Sequence, residues 1–435
     1  MTARDEYDRH LSAWLAAEAP AREPEHLLGE VLARTARTRR RPAWRFAERW
    51  IPMSTITSRL SPAAGIPWRP ILVAGLLLIA LVVGALVVAG SRRQQLAPPF
   101  GAAANGQIAY SVNGDLITVD PKTATTRTIV SGPESDSGPV FAGNGSKLAF
   151  VRGEDGNRQV WAADADGSNP RKISGPFAKY PGWVEWSPQA DIVAVEIDED
   201  AGRIRMARAD GSGETVLSTG LTAAINPIFR PSDGNQILFR GQATDGTWGL
   251  YLMGRDGSNL QRLALDPGFQ SDPTYAQNRD NYFWGGTWSA DGRTLLYHTP
   301  EADGSSTRGL GFRIHRAAIG PNGEVMSDKV LVFDVAHDDE FDAAFVPSMD
   351  AITYQSAAGG VFQSWRASLA PGATPVALGP RALDLIGRVP SPDGTSVLLV
   401  TGDPATVTHV DLASGASTPF TAGSDVAWQR TAASD

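Results

Sequence analysis

Asp166-Gly167-Ser168-Asn169, Asp210-Gly211-Ser212 and Asp256-Gly257-Ser258-Asn259 repeat one theme at intervals of about 45 residues. An apolar stretch precedes each copy, and a short β-type run follows it: Arg171-Lys172-Ile173, Thr215-Val216-Leu217 and Gln261-Arg262-Leu263. A period of this length marks an array of supersecondary units, none of which buries a core alone; neighbours stack to make one.

Working outward from these turns, each repeat opens on an aromatic or apolar residue, passes a tight turn and enters an alternating β run. The series is Phe141-Ala-Gly-Asn-Gly145 before Leu148–Phe150, Trp186-Ser-Pro188 before Ile192–Val195, and Phe229-Arg-Pro-Ser-Asp-Gly234 before Ile237–Phe239. It continues with Trp288-Ser-Ala-Asp-Gly292 before Leu295–Tyr297, Phe345-Val-Pro-Ser348 before Ile352–Tyr354, and Pro390-Ser-Pro-Asp-Gly394 before Val397–Val400. Asp-Gly closes a hairpin because Gly takes positive φ without steric cost. The β-branched and aromatic run after it suits a buried strand. Asp-Gly-Ser then turns a third strand into an outer one.

Two fragments remain. Gln107–Tyr110 reads as a second strand without a first, and Val426–Trp428 as a first strand without a second. Pairing them closes a ring and removes the open edges. The expectation is an all-β, seven-bladed β-propeller over residues 105–430, with six blades as the alternative. The Trp-Ser-Pro-Asp-Gly theme, followed by a β run, a third strand and Asp-Gly-Ser-Asn, is similar to the WD40-like repeat of TolB-type propellers. The resemblance covers essentially all of 105–430 and implies the fold more than any function.

Ahead of the repeats, Ile71 to Gly90 is a run of twenty residues without a charge. That is the length a helix needs to cross ~30 Å of hydrocarbon. Trp68 and Arg69 flank one end and Arg92 and Arg93 the other, as interface anchors do. Arg34, Arg37, Arg39, Arg40, Arg41, Arg45, Arg49, Arg59 and Arg69 fall in about the forty residues before the run, against only Arg92 and Arg93 in about the sixteen after it. This places the N-terminus in the cytoplasm and the repeats outside the cell membrane. The domains expected are a basic, partly flexible helical head over 1–70, a transmembrane helix over 71–90, a linker over 91–104 and the propeller over 105–430. The head carries twelve Arg and eight acidic residues, and residues 91–435 carry 27 Lys and Arg against 39 acidic residues.

The head contains two short amphipathic patterns, one with Tyr7, Leu11, Trp14 and Leu15, the other with Leu27, Leu28, Val31 and Leu32. Head, single span and large outer domain resemble the layout of bacterial transmembrane anti-sigma factors, which implies a cytoplasmic protein partner. Many of those carry a His-x-x-x-Cys-x-x-Cys zinc motif; this chain has His10 and His26 but no Cys. The lack of Cys also excludes disulfides, thiolate metal sites and Cys nucleophiles.

No Gly-x-Ser-x-Gly elbow, phosphate-binding Gly-Lys-Ser/Thr loop or His-Glu-x-x-His pair occurs. The histidines of the outer domain, His298, His315, His337 and His409, show no converging spacing; His298 and His315 are expected at opposite ends of one blade's strands. Two irregular connectors stand out, and long connectors are where propellers carry function. One contains Asp272, Tyr275, Arg279, Asp280, Tyr282 and Trp284; the other contains His337 and Asp342. These residues form the expected ligand-binding face at the channel mouth, suited to a protein or glycan contact. Asp338, Asp339 and Glu340 with Asp342 are candidate oxygen ligands for Ca²⁺, the alternative being a solvated acidic loop without cofactor. The functional expectation is a membrane-anchored module that binds a protein or cell-envelope component, not nucleic acid, and signals through its head. The alternatives are a carbohydrate-active propeller lyase or hydrolase and a passive envelope scaffold.

Overall fold

The computed structural model describes residues 96–433 except 197–201, 232, 266–283, 303–309, 334–338, 384 and 403–404, together with Gly75, Leu77 and Leu78. The head therefore lies outside the described residues, as does the expected span apart from those three helical positions. Among the described residues no helix is long and apolar enough to cross a membrane.

Seven four-stranded antiparallel sheets follow one another along residues 104–431. Each runs from an inner to an outer strand in chain order, except the first. There the C-terminal strand Ser424–Thr431 is the inner member, beside Ala104–Val112, Asp115–Val119 and Thr126–Val130. Trp428 pairs with Ile108 and Ala427 with Ala109, joining the two fragments the sequence left unpaired. The seven-blade expectation holds, and six blades is set aside.

The core is divided into seven clusters, one at each junction between adjacent blades. Within a strand, alternate residues serve opposite junctions, as the period of two requires. Ile108 and Tyr110 pack against Leu398 and Val400 of blade 7, while Ala109 packs with Phe141 and Leu148 of blade 2. Val397 and Leu399 face blade 6, and Leu398 and Val400 face blade 1. Both faces of a central strand are buried, so such strands read as continuous apolar runs. The chain from blade 1 round to blade 7 and back to blade 1 leaves no junction open.

The three Asp-Gly-Ser turns join third to outer strands, as read. Gly167, Gly211 and Gly257 have φ of 82°, 72° and 86°. Asp166 accepts the Ser168 N–H at 3.0 Å, Asp210 that of Ser212 at 2.9 Å and Asp256 that of Ser258 at 3.0 Å. The hydroxyl of the same Ser and then this N–H hold all three carboxyls below the usual range, and the three Asp are turn-formers.

Candidate functional site

The inner strands surround the channel. Counted from the aromatic or Pro390 that ends the inner strand, or from Trp428 within that of blade 1, the residue three places earlier falls at or beside a bulge in all but blade 3. Six of the seven inner strands carry a register shift there or beside it. Gly138, Asn226, Asp342 and Asp425 hold this place in blades 2, 4, 6 and 1 with φ of 59°, 51°, 55° and 54°. A bulge breaks the ladder and leaves a backbone group to be satisfied elsewhere.

The partners come from one aligned position on the second strands, three residues beyond the one paired with the terminal aromatic or its equivalent. That position is Ser111, Val151, Glu196, Arg240, His298, Gln355 and Val400, all buried. Five of the seven are polar. Glu196 and His298 reach the bulge of the next blade, whereas Gln355 contacts the inner strand of its own, so a buried polar row runs among the apolar clusters. Glu196 accepts the N–H of Asn226 at 2.5 Å, and Nδ1 of His298 accepts that of Asp342 at 3.4 Å. Gln355 donates to the Asp342 carboxylate at 3.3 Å. Arg240 lies over the Trp248 ring at 4.1 Å. Burial, then the charge of Arg240 and the proximity of His315, push His298 down to about 3, so it is a neutral acceptor.

His298 and His315 are not at opposite ends of the strands. Tyr297 pairs with His315 and His298 with Ile314, so the two histidines occupy adjacent rows. The sequence spacing misleads because the hairpin between them is long and folds back. His315 instead meets the Tyr297 hydroxyl at 3.1 Å and Asp328 at 3.3 Å, away from the channel. His409 sits in blade 7, its ring 6.3 Å from that of Trp428.

Asp272, Tyr275, Arg279, Asp280, Tyr282, His337 and Asp338 lie outside the described residues; Trp284 is placed by its backbone, opposite His298. Asp339 and Glu340 are successive residues of the blade 6 inner strand and leave opposite faces of it. Asp339 accepts the Phe312 N–H at 3.2 Å, and Glu340 is buried. Among the described residues no three His, Asp or Glu gather as a metal set would. Asp342 sits at the bulge of the blade 6 inner strand; its side chain is 62% exposed and 3.6 Å from the guanidinium of Arg388, itself 2% exposed.

Three mouth residues escaped the sequence reading. Tyr180 and Trp183, on the connector and inner strand entering blade 3, are 40% and 39% exposed. The Tyr180 hydroxyl lies so close over Gly138 that a Cβ there would overlap it, and Arg158 stands 5.0 Å from its ring. Asp425, also exposed, takes the bulge position in blade 1.

At the channel's other end the chain itself crosses from blade to blade. Residues 97–103 cross the turns that join inner to second strands. Ala97 donates to Asn144 in blade 2 at 3.3 Å, and Ala103 donates to Pro392 in blade 7 at 2.9 Å. Between them, a side chain at Gly101 would stand 3.4 Å from Ala290 of blade 5. Arg430 holds the strap through the carbonyls of Pro98, at 3.1 and 3.2 Å, and Gly101, at 2.5 Å. Burial lowers Arg430 to about 10. Pro99 and Phe100 cover a cavity of about 110 Å³ against Phe141, Trp186, Pro188 and Glu185. Enclosure there pushes the Glu185 carboxyl up to about 8.

No protein-family model matches the chain. Among solved structures it is similar to a prolyl endopeptidase, at 12% identity and a TM-score of 0.53, over 76% of this chain and 51% of that one. It is similar to the tricorn protease at 13% identity and a TM-score of 0.51, over 78% of this chain and 36% of that one. It is also similar to TolB from Acinetobacter baumannii at 16% identity and a TM-score of 0.46, over 74% and 81% of the two chains. The chain spans about half of the endopeptidase and a third of the tricorn protease, and these two likenesses show the propeller fold alone.

Proposed function

We propose that this chain is a membrane-anchored, extracytoplasmic binding protein of the TolB-like propeller type. It takes a protein partner of the cell envelope at the channel mouth and relays the event through its basic cytoplasmic head. The observation that carries the reading is the contrast between the channel's two ends. One is crossed by residues 97–103, which hydrogen bonds hold to blades 1, 2 and 7. The other presents Tyr180, Trp183, Asp342 and Asp425 to solvent. Exposed aromatic groups on a rigid rim supply large contact area at small entropic cost, which is what an interface anchor needs. The uncharged run from Ile71 to Gly90 and the Arg excess before it support the anchoring and the orientation.

A photo-crosslinking residue placed at Trp183 of the full chain in cells tests this. The control is the same residue at Met326, which is 75% exposed on the outer strand of blade 5. A protein adduct formed at Trp183 and missing at Met326 is the expected result. Equal adducts at both positions, or none at Trp183, overturn it.

A further inference from the structure

Arg388 poses a specific physical problem. It sits on the inner strand of blade 7, facing blade 6, with its side chain 2% exposed. Its Nη2 donates to the backbone carbonyl of Asp342. Nε and Nη1 have no hydrogen-bond partner. A guanidinium remains charged even when buried, and buried donors left unmade cost free energy. The nearest counter-charge is the Asp342 carboxylate, at 3.6 Å, too far for a good hydrogen bond. That carboxylate is the exposed member of the pair and has one other contact, the 3.3 Å bond from Gln355.

The backbone of Asp342 is fixed separately. His298 accepts its N–H, and Arg388 donates to its carbonyl. The Asp342 side chain can therefore turn into the channel without moving the strand. What it would uncover is a fixed cation with donors to spare, on the inner strand of blade 7.

We propose that Arg388 is a carboxylate-binding anchor and that Asp342 is its internal placeholder. A ligand carboxylate entering from the mouth displaces the Asp342 side chain and pairs with the guanidinium, whose planar fork matches a carboxylate. The inference rests on the mouth being the binding face and adds the chemical class that the wall selects. A free small carboxylate and the C-terminal carboxylate of a protein present the same group.

The test is thermal unfolding of the full chain in detergent, titrated with sodium acetate, sodium succinate, a hexapeptide with a free C-terminus and the same peptide amidated. Sodium chloride at matched ionic strength is the reference. Carboxylates are expected to raise the midpoint above the chloride control, with R388Q abolishing the increment. D342N, which removes the placeholder's charge, is expected to lower the half-saturating concentration at least fivefold. If R388Q does not fold, D342N decides alone. A free-acid peptide binding at least tenfold tighter than both acetate and its amide identifies a chain terminus; acetate or succinate binding as tightly identifies a small carboxylate. No increment over chloride, an increment that survives R388Q, or a D342N titration no tighter than wild type overturns the proposal. Crosslinking at Trp183 is read independently, so loss of the carboxylate response beside an intact adduct removes Arg388 and leaves the mouth.

Discussion

The backbone N–H of Asp342 reaches across a blade boundary to Nδ1 of His298, 3.4 Å away. A bulge in one blade is thus satisfied by a side chain of the blade before it. Removing the acceptor in H298A leaves a buried donor unpaired, at a cost of about 1–3 kcal/mol. The effect depends on pH. The folded protein holds His298 at about 3, against 6.5 for a free side chain. Unfolding therefore takes up a proton below pH 6.5, and wild-type stability from this group falls as pH drops from there toward 3. Urea denaturation should show H298A well below wild type at pH 7 and the gap narrowing at pH 4.5. A gap of constant size would mean that His298 is not held neutral.

Glu185 has the opposite sign. Its carboxyl titrates at about 8 when folded and near 4.5 when free. The folded state keeps the proton, so stability from this group is complete below pH 4.5 and declines as pH rises toward 8. E185Q keeps the shape and removes the titration. Its melting temperature should pass that of wild type increasingly between pH 5 and 8, with the difference level above that range. Parallel profiles would place the Glu185 carboxylate in water.

Gly145 and Gly156 separate backbone strain from steric contact. Both have positive φ, 72° and 90°. A Cβ at Gly156 meets nothing within 4 Å, whereas one at Gly145 would stand 1.8 Å from the carbonyl oxygen of Arg430. G156A should cost about 1 kcal/mol, the left-handed penalty alone. G145A should cost more than about 3 kcal/mol, because it forces apart the blade 2 turn and the ring-closing strand. Equal losses in chemical denaturation would mean that the ring relaxes at that point.

The blades were legible because turn chemistry and apolar runs recur together, and ring closure was legible because two half-repeats complemented each other. The polar layer was not. The apolar runs were read as ending at Tyr110, Val195, Phe239, Tyr297 and Tyr354, yet the next residue in each is Ser111, Glu196, Arg240, His298 or Gln355, and it too is buried. A polar residue ending a strand looks solvent-facing until its register is known. Aligning the repeats on their terminal aromatics would have shown the row. Arg388 hides for the same reason within Leu-Ile-Gly-Arg-Val-Pro. Residues 97–103 have neither strand period nor repeat, and their partners are turns of other blades, so they read as linker.

The strap yields the most direct measurement, because the chain has no cysteine and a single engineered thiol reports without background. Glu185 lies in the cavity under Pro99 and Phe100. Glu185 is half-buried there, and lifting the strap widens the approach of a maleimide to the thiol of E185C. Arg430 holds the strap by three hydrogen bonds to carbonyls. Replacing it with Met preserves much of the apolar stem and removes those bonds, each worth about 1.5–3 kcal/mol when the donor is charged. If local opening limits labelling, even the lower end of that range for one bond raises the open fraction more than tenfold. The labelling rate of E185C/R430M in the full chain should therefore exceed that of E185C by at least that factor, with the unfolding midpoint of the blades little changed. Equal rates would show that the thiol is reached without the strap lifting.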